Sequence, residues 1–194
     1  MKRTSLVALV LATAVNGCAL QQRPQTFRAI RCPAPPAPAP AASPLPVVPA
    51  PAPSRPTRIG AQFNWHGDLP LSLDYAELGG TLADDVARLL GAAPHAMASA
   101  GARLEVRIQR VSTRSQSAGW FELTAPVTSE IVATARVVRA DGGVDAGTFH
   151  GEATKRVVYV DGSDHAETLE RAYCALLGDF AAHAVELRAA VPVE

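Results

Sequence analysis

The chain has 194 residues, 48% of them apolar, and a formal net charge of zero that hides an asymmetry. Six of the 18 basic residues precede Thr57 and every acidic residue lies at or beyond Asp68, so 57–194 holds 12 basic and 18 acidic residues, a net of −6. An acidic folded part without a basic stripe does not suggest nucleic-acid binding, and about 138 residues suffice for one domain with a real core.

The first eighteen residues, MKRTSLVALVLATAVNGC, run from a positive start (Lys2, Arg3) through a short apolar stretch (Leu6 to Ala14) to compact residues before Cys18. That is the layout of a secretory signal, and the apolar stretch is too short to span a bilayer, which takes roughly 20 residues. With the cysteine directly after Gly17, the segment resembles a bacterial lipoprotein signal. The resemblance implies cleavage after Gly17, acylation of Cys18 and, with Ala19 rather than Asp following, sorting to the outer membrane. Several acyl chains anchor stably where one does not.

Residues 33–56 contain eleven of the sixteen prolines, interleaved with alanine. Proline removes a backbone donor and fixes φ, which predicts an extended, disordered spacer rather than a helix or central strand. The expected organisation is therefore a signal peptide at 1–17, a lipidated cysteine with a Pro/Ala-rich spacer at 18–56, and a globular domain at 57–194.

Within 57–194, Thr57 to Phe63 reads as a strand, Asn64 to Asp68 as a turn, and Leu71 to Leu73 as a short extended piece. Thr81 with Asp84 marks a helix start, and Leu82, Val86, Leu89 and Leu90 recur at helical spacing until Gly91. Leu104, Val106 and Ile108 alternate with polar residues, as do Ile131, Ala133, Ala135 and Val137, the period of half-buried strands. Ser112 to Gly119 reads as a loop and Asp141-Gly142-Gly143 as a turn. Thr148 to Val160 offers a third strand with Phe149, Val158 and Val160 for a buried face. Asp164 with Glu167 resembles a capping box, and Leu169, Tyr173, Leu176, Phe180, Ala184 and Leu187 line one face of a closing helix. The expected fold is α/β (α+β): an antiparallel three- to four-stranded meander with two helices packed on one face, after the disordered tether.

Candidate chemistry is sparse. With Cys18 lipidated, Cys32 and Cys174 remain as an even pair; they form a disulfide, or Cys174 is a small buried hydrophobe and Cys32 is free, and the second is the expectation. Asp179 and His183 stand i, i+4 on the closing helix, but two ligands do not make a zinc site, and no GxSxG elbow or HExxH motif is present. Trp120-Phe121 ends a polar loop; one ring fits a partner contact with the other in the core, unless both pack beneath the loop. No catalytic residue, metal or cofactor is expected.

LADDVARLLGAA, RLEVRIQRV, VTSEIVATARVV, TFHGEATKRVVYV and ETLERAYCALLGDFAAHAVEL follow one another between Leu78 and Ala190. In element order and texture this stretch, with the signal and spacer, is similar to small bacterial envelope lipoproteins, the YajG-type lipoproteins and the auxiliary lipoproteins of envelope ABC transporters. The long tether is also similar to that of lipoprotein activators of peptidoglycan synthases. The resemblance implies a non-enzymatic outer-membrane lipoprotein that binds an envelope protein partner from the periplasmic side; the alternative is a carrier or sensor of a hydrophobic ligand.

Overall fold

The alternation at Leu104 and Ile131 belongs to two long strands, β5 (Arg103–Ser115) and β6 (Ala125–Arg139), which pair antiparallel, and β6 pairs antiparallel in turn with β7 (Gly142–Val157). The structure, a computed structural model, describes residues 25–28, 30–37, 45–62, 68–92, 102–116, 124–139 and 142–189. Four further strands complete the sheet: β1 (Gln25–Phe27), β2 (Val47–Pro49), β3 (Thr57–Gln62) and β4 (Leu69–Leu73). The order is β1-β4-β3-β5-β6-β7, with β2 pairing β5. The β1–β4, β2–β5 and β3–β5 pairs are parallel.

This overturns the expected three- to four-stranded antiparallel meander, and within the expected disordered tether residues 25–27 and 47–49 are strands. The sheet is mixed and seven-stranded. The reason lies on the side of β5 away from β6, where the long strand offers unpaired backbone groups. There β3 takes the Thr113–Arg114 end and β2 the Leu104–Val106 end. Proline does not prevent this at an edge, where a missing N–H can face away from the partner strand. The Pro46 carbonyl accepts from Leu104 N–H at 2.9 Å, and Ala50 N–H donates to the Val106 carbonyl at 2.8 Å. Phe27, Ile30, Leu45 and Val47 are buried in the same core as the strands of 57–194. The folded unit thus includes residues that the spacer boundary at 56 would leave out.

Three helices follow: α1 (Tyr75–Leu90), α2 (Gly162–Ala182) and a short α3 (Ala184–Ala189). α1 starts six residues before Thr81, because Asp74 accepts from Ala76 N–H and Glu77 N–H at 3.0 and 3.1 Å. It ends at Gly91, whose φ of 67° is the left-handed conformation glycine adopts without penalty. The capping box of α2 is Asp161 with Asp164, three residues ahead of the expected pair. Leu169, Tyr173, Leu176 and Phe180 are fully buried, and Ala184 and Leu187 of α3 join them. The Phe180 ring stacks on Phe149 of β7 with centroids 3.9 Å apart. At Gly151 a Cβ would stand 2.0 Å from the Ala172 carbonyl oxygen, so the glycine is what lets α2 lie directly on β7.

α1 covers β2 and β5 while α2 covers β6 and β7, and the two helices touch each other over the same face of the sheet. Two further expectations fail. Ser112 to Ser115 belongs to β5, not to a loop. Val158 is 81% exposed instead of facing the core. Of the expected turn at Asn64 to Asp68, residues 64–67 lie outside the described residues.

Candidate functional site

The residues singled out for function, Cys18 for lipid attachment and Trp120 and Phe121 for partner contact, lie outside the described residues. The other two cysteines do not remain apart: Cys32 and Cys174 are joined, with Cα atoms 5.0 Å apart, across 142 positions of sequence. This corrects the expectation of a free Cys32. The even count left the bond open, and whether the two cysteines meet depended on the path of the chain before β2.

Beside the disulfide, α1 and α2 are joined by polar contacts. The Tyr173 hydroxyl donates to Asp85 Oδ2 at 2.8 Å, and Arg88 Nη1 stands 2.6 Å from Asp85 Oδ1. Burial, and then the neighbouring Asp85 charge, push the Tyr173 phenol far above its ordinary range. Asp85 and Arg88 line a cleft of about 350 Å³ together with Arg31, Cys32, Thr81 and Asp84. Sequence reasoning placed Tyr173 on the apolar stripe of the helix; nothing local showed that its hydroxyl would reach a carboxylate 88 positions away.

The sheet face opposite the helices is polar. Arg110 Nη2 meets Glu130 Oε1 at 2.7 Å, Gln109 Nε2 donates to Thr134 Oγ1 at 3.0 Å, and the Thr128 and Thr154 hydroxyls pair at 3.0 Å. Arg107, Arg114 and Arg156 are exposed there beside these pairs. Cross-strand pairs of this kind each contribute roughly 0.2–1 kcal/mol, so they order the face more than they stabilise the fold. The result is an ordered, arginine-bearing surface suited to polar contact.

A polar cluster is buried between sheet and α2. Ser129 Oγ lies 2.9 Å from both Thr113 Oγ1 and Thr168 Oγ1, and Thr113 Oγ1 lies 2.8 Å from His165 Nδ1. Thr168 Oγ1 donates to the Asp164 carbonyl at 2.8 Å. His165 is fully buried and its Nε2 has no partner among the described residues. Burial pushes the imidazole pKa down, against the smaller opposing pull of Asp164 and Asp161. On the neighbouring surface Lys155 Nζ bridges Asp164 and Glu167 at 2.8 and 2.5 Å, which raises its own pKa and lowers that of Glu167.

The Asp179–His183 pair does form, with Nδ1 at 2.9 Å from the Asp179 carbonyl and 3.3 Å from its carboxylate. The Asp179 carboxylate also accepts the His150 N–H at 2.9 Å, so one acid caps both the helix pair and the outer edge of β7. Among the described residues no three His, Cys, Asp or Glu side chains come together to hold a metal ion, and no helix is long and apolar enough to cross a membrane.

No protein-family model matches the chain, and no curated protein matches it. Among solved structures, the crystal structure of protein XCC0632 from Xanthomonas campestris, of family model DUF330, is similar over 82% of this chain and 92% of its own. The identity is 14% and the TM-score 0.46, a distance at which the likeness says nothing of chemistry or partners.

Proposed function

We propose that the chain is a non-enzymatic lipoprotein, anchored through Cys18 in the outer membrane and facing the periplasm, whose folded part binds an envelope protein as an accessory to transport or cell-wall assembly. The observation that carries this reading is the Cys32–Cys174 disulfide. Such bonds persist in oxidising compartments, the destination implied by the signal ending at Cys18. The ordered polar face of β5, β6 and β7 supplies a surface for a protein partner. The competing role, carriage of a hydrophobic ligand, has less support, because the layer between sheet and helices is filled by Ile131, Tyr173, Leu176 and Phe180.

Two measurements test the reading. Metabolic labelling with a fatty-acid analogue marks the wild-type chain and not Cys18→Ser; equal labelling of both overturns the anchor. A photo-crosslinking residue at Thr134 on the open face captures one envelope protein in cells, whereas the same group at Glu170 on the helix side does not; indistinguishable products from the two positions overturn the assignment of the face.

A further inference from the structure

Val158 and Tyr159, in the connection between β7 and α2, are 81% and 72% exposed, the only such adjacent pair among the large hydrophobic side chains of the described residues. Their place in the fold gives them meaning. Gln62 Nε2, at the end of β3, reaches the Val160 carbonyl at 3.5 Å, and Gln25 Oε1 packs so tightly on Gly162 that a Cβ there would lie 2.0 Å away. The described chain therefore enters the fold at the same end of the sheet as this exposed pair.

Gln25 lies only seven positions beyond Cys18. A fully extended chain covers at most about 3.3–3.6 Å per residue, so an acylated Cys18 holds this end of the domain within roughly 25 Å of the bilayer. The opposite end is carried away by α2, whose 21 residues span about 30 Å at 1.5 Å per residue. Tyrosine suits a membrane surface, with an apolar ring and a hydroxyl that stays wet. The nearest acid, Asp161, turns its carboxylate back to accept Ser163 N–H and Asp164 N–H at 2.7 and 3.1 Å, while Arg156, two residues before Val158, is exposed.

We infer that the Val158–Tyr159 loop is a membrane-contact site: it sits in the headgroup region of the bilayer that holds the lipid anchor, standing the sheet on end with its polar face turned sideways. The inference rests on the anchor reading above, and goes beyond it in assigning a second contact and an orientation. An anchor alone would leave the domain free to tumble.

The lipidated full-length protein, reconstituted in vesicles of phosphatidylethanolamine with a minority of phosphatidylglycerol, provides the test. An environment-sensitive fluorophore is attached at Tyr159→Cys or, as control, at Val185→Cys, which is 73% exposed and lies beyond the far end of α2. A loop seated about 5–10 Å into the interface predicts a blue-shifted probe at 159, several-fold less accessible to aqueous iodide than the probe at 185. Equal accessibility at the two positions overturns the contact. If the 159 probe is open to iodide on vesicles yet shielded in native envelopes, the loop is a protein contact, and the inference fails in that way. Intact mass of the same sample separates the two claims. Without acyl chains on Cys18 the anchor reading fails and takes this orientation with it; with acyl chains and an accessible 159, only the membrane contact fails.

Discussion

At the scale of single residues, His165 concentrates the chemistry of the interior. Its Nε2 has no partner among the described residues, so a proton there would be an unpaired buried donor, which is costly. A proton on Nδ1 instead has Thr113 Oγ1 as its acceptor at 2.8 Å, an oxygen that also accepts from Ser129 Oγ at 2.9 Å. Nitrogen NMR of the folded protein is expected to show the Nδ1–H tautomer. The ring's pKa lies below its ordinary 6.5 in the folded state, so just below pH 6.5 the unfolded chain binds more protons than the folded one. His165 therefore contributes stability that is present above 6.5 and is lost as pH falls through the folded pKa. His183 has the opposite sign, its pKa raised first by the bond to the Asp179 carbonyl; its contribution is present below 6.5 and lost as pH rises through the folded value. Denaturant melts across this range in a His183→Ala background isolate the His165 slope; a flat profile there contradicts the assignment.

At the scale of elements, α2 is the cover on which the sheet depends. It places Leu169, Tyr173, Leu176 and Phe180 against β6 and β7, and Gly151 lets the two backbones approach. Truncating a buried phenylalanine removes transfer energy and leaves a cavity, so Phe180→Ala is expected to cost about 3–5 kcal/mol. Arg171, an exposed partner of Glu167 one turn away, is a fair control, and Arg171→Ala should change stability by no more than about 0.5 kcal/mol. Urea melts decide between them. Equal effects would mean that this helix does not carry the core.

For the whole molecule, the decisive fact is that β1 and β2, both before Thr57, belong to the fold. The disulfide closes a loop of 142 residues. In the chain-entropy account such a loop removes about 5 kcal/mol of unfolded-state freedom, and loss of a native disulfide typically costs 2–5 kcal/mol. The double change Cys32→Ser with Cys174→Ser is expected to lower stability by that amount, read as a shift in denaturant midpoint. A fragment beginning at Thr57 loses β1, β2 and the disulfide, leaving the Leu104–Val106 edge of β5 and part of α1 uncovered. It should be unfolded or aggregate, while a fragment beginning at Ala19 folds with one cooperative transition. If the Thr57 fragment melts like the longer one, the N-terminal strands are not part of the core. Charge is mixed on both layers: on the helices Asp85 pairs with Arg88 and Glu167 with Arg171, and on the open sheet face Arg110 pairs with Glu130.

What the sequence determined by itself is what its local periods encode. Leu104, Val106 and Ile108 alternate because one face of β5 is buried. Leu169 to Phe180 repeat at helical spacing because one stripe of α2 is buried, and Gly91 ends α1 because it alone adopts the left-handed conformation at no cost. None of these depends on distant chain. Tertiary structure decided the rest. β1 and β2 are three residues each, too short to show a period, and the prolines around Val47 argue against a strand until an unpaired edge of β5 stands beside them. The Cys32–Cys174 bond, the reach of Tyr173 to Asp85 and the meeting of Gln25 with Gly162 each join positions far apart in the chain. Whether such partners meet depends on the path of everything between them, and on which backbone edges and apolar faces remain uncovered once the long strands have paired.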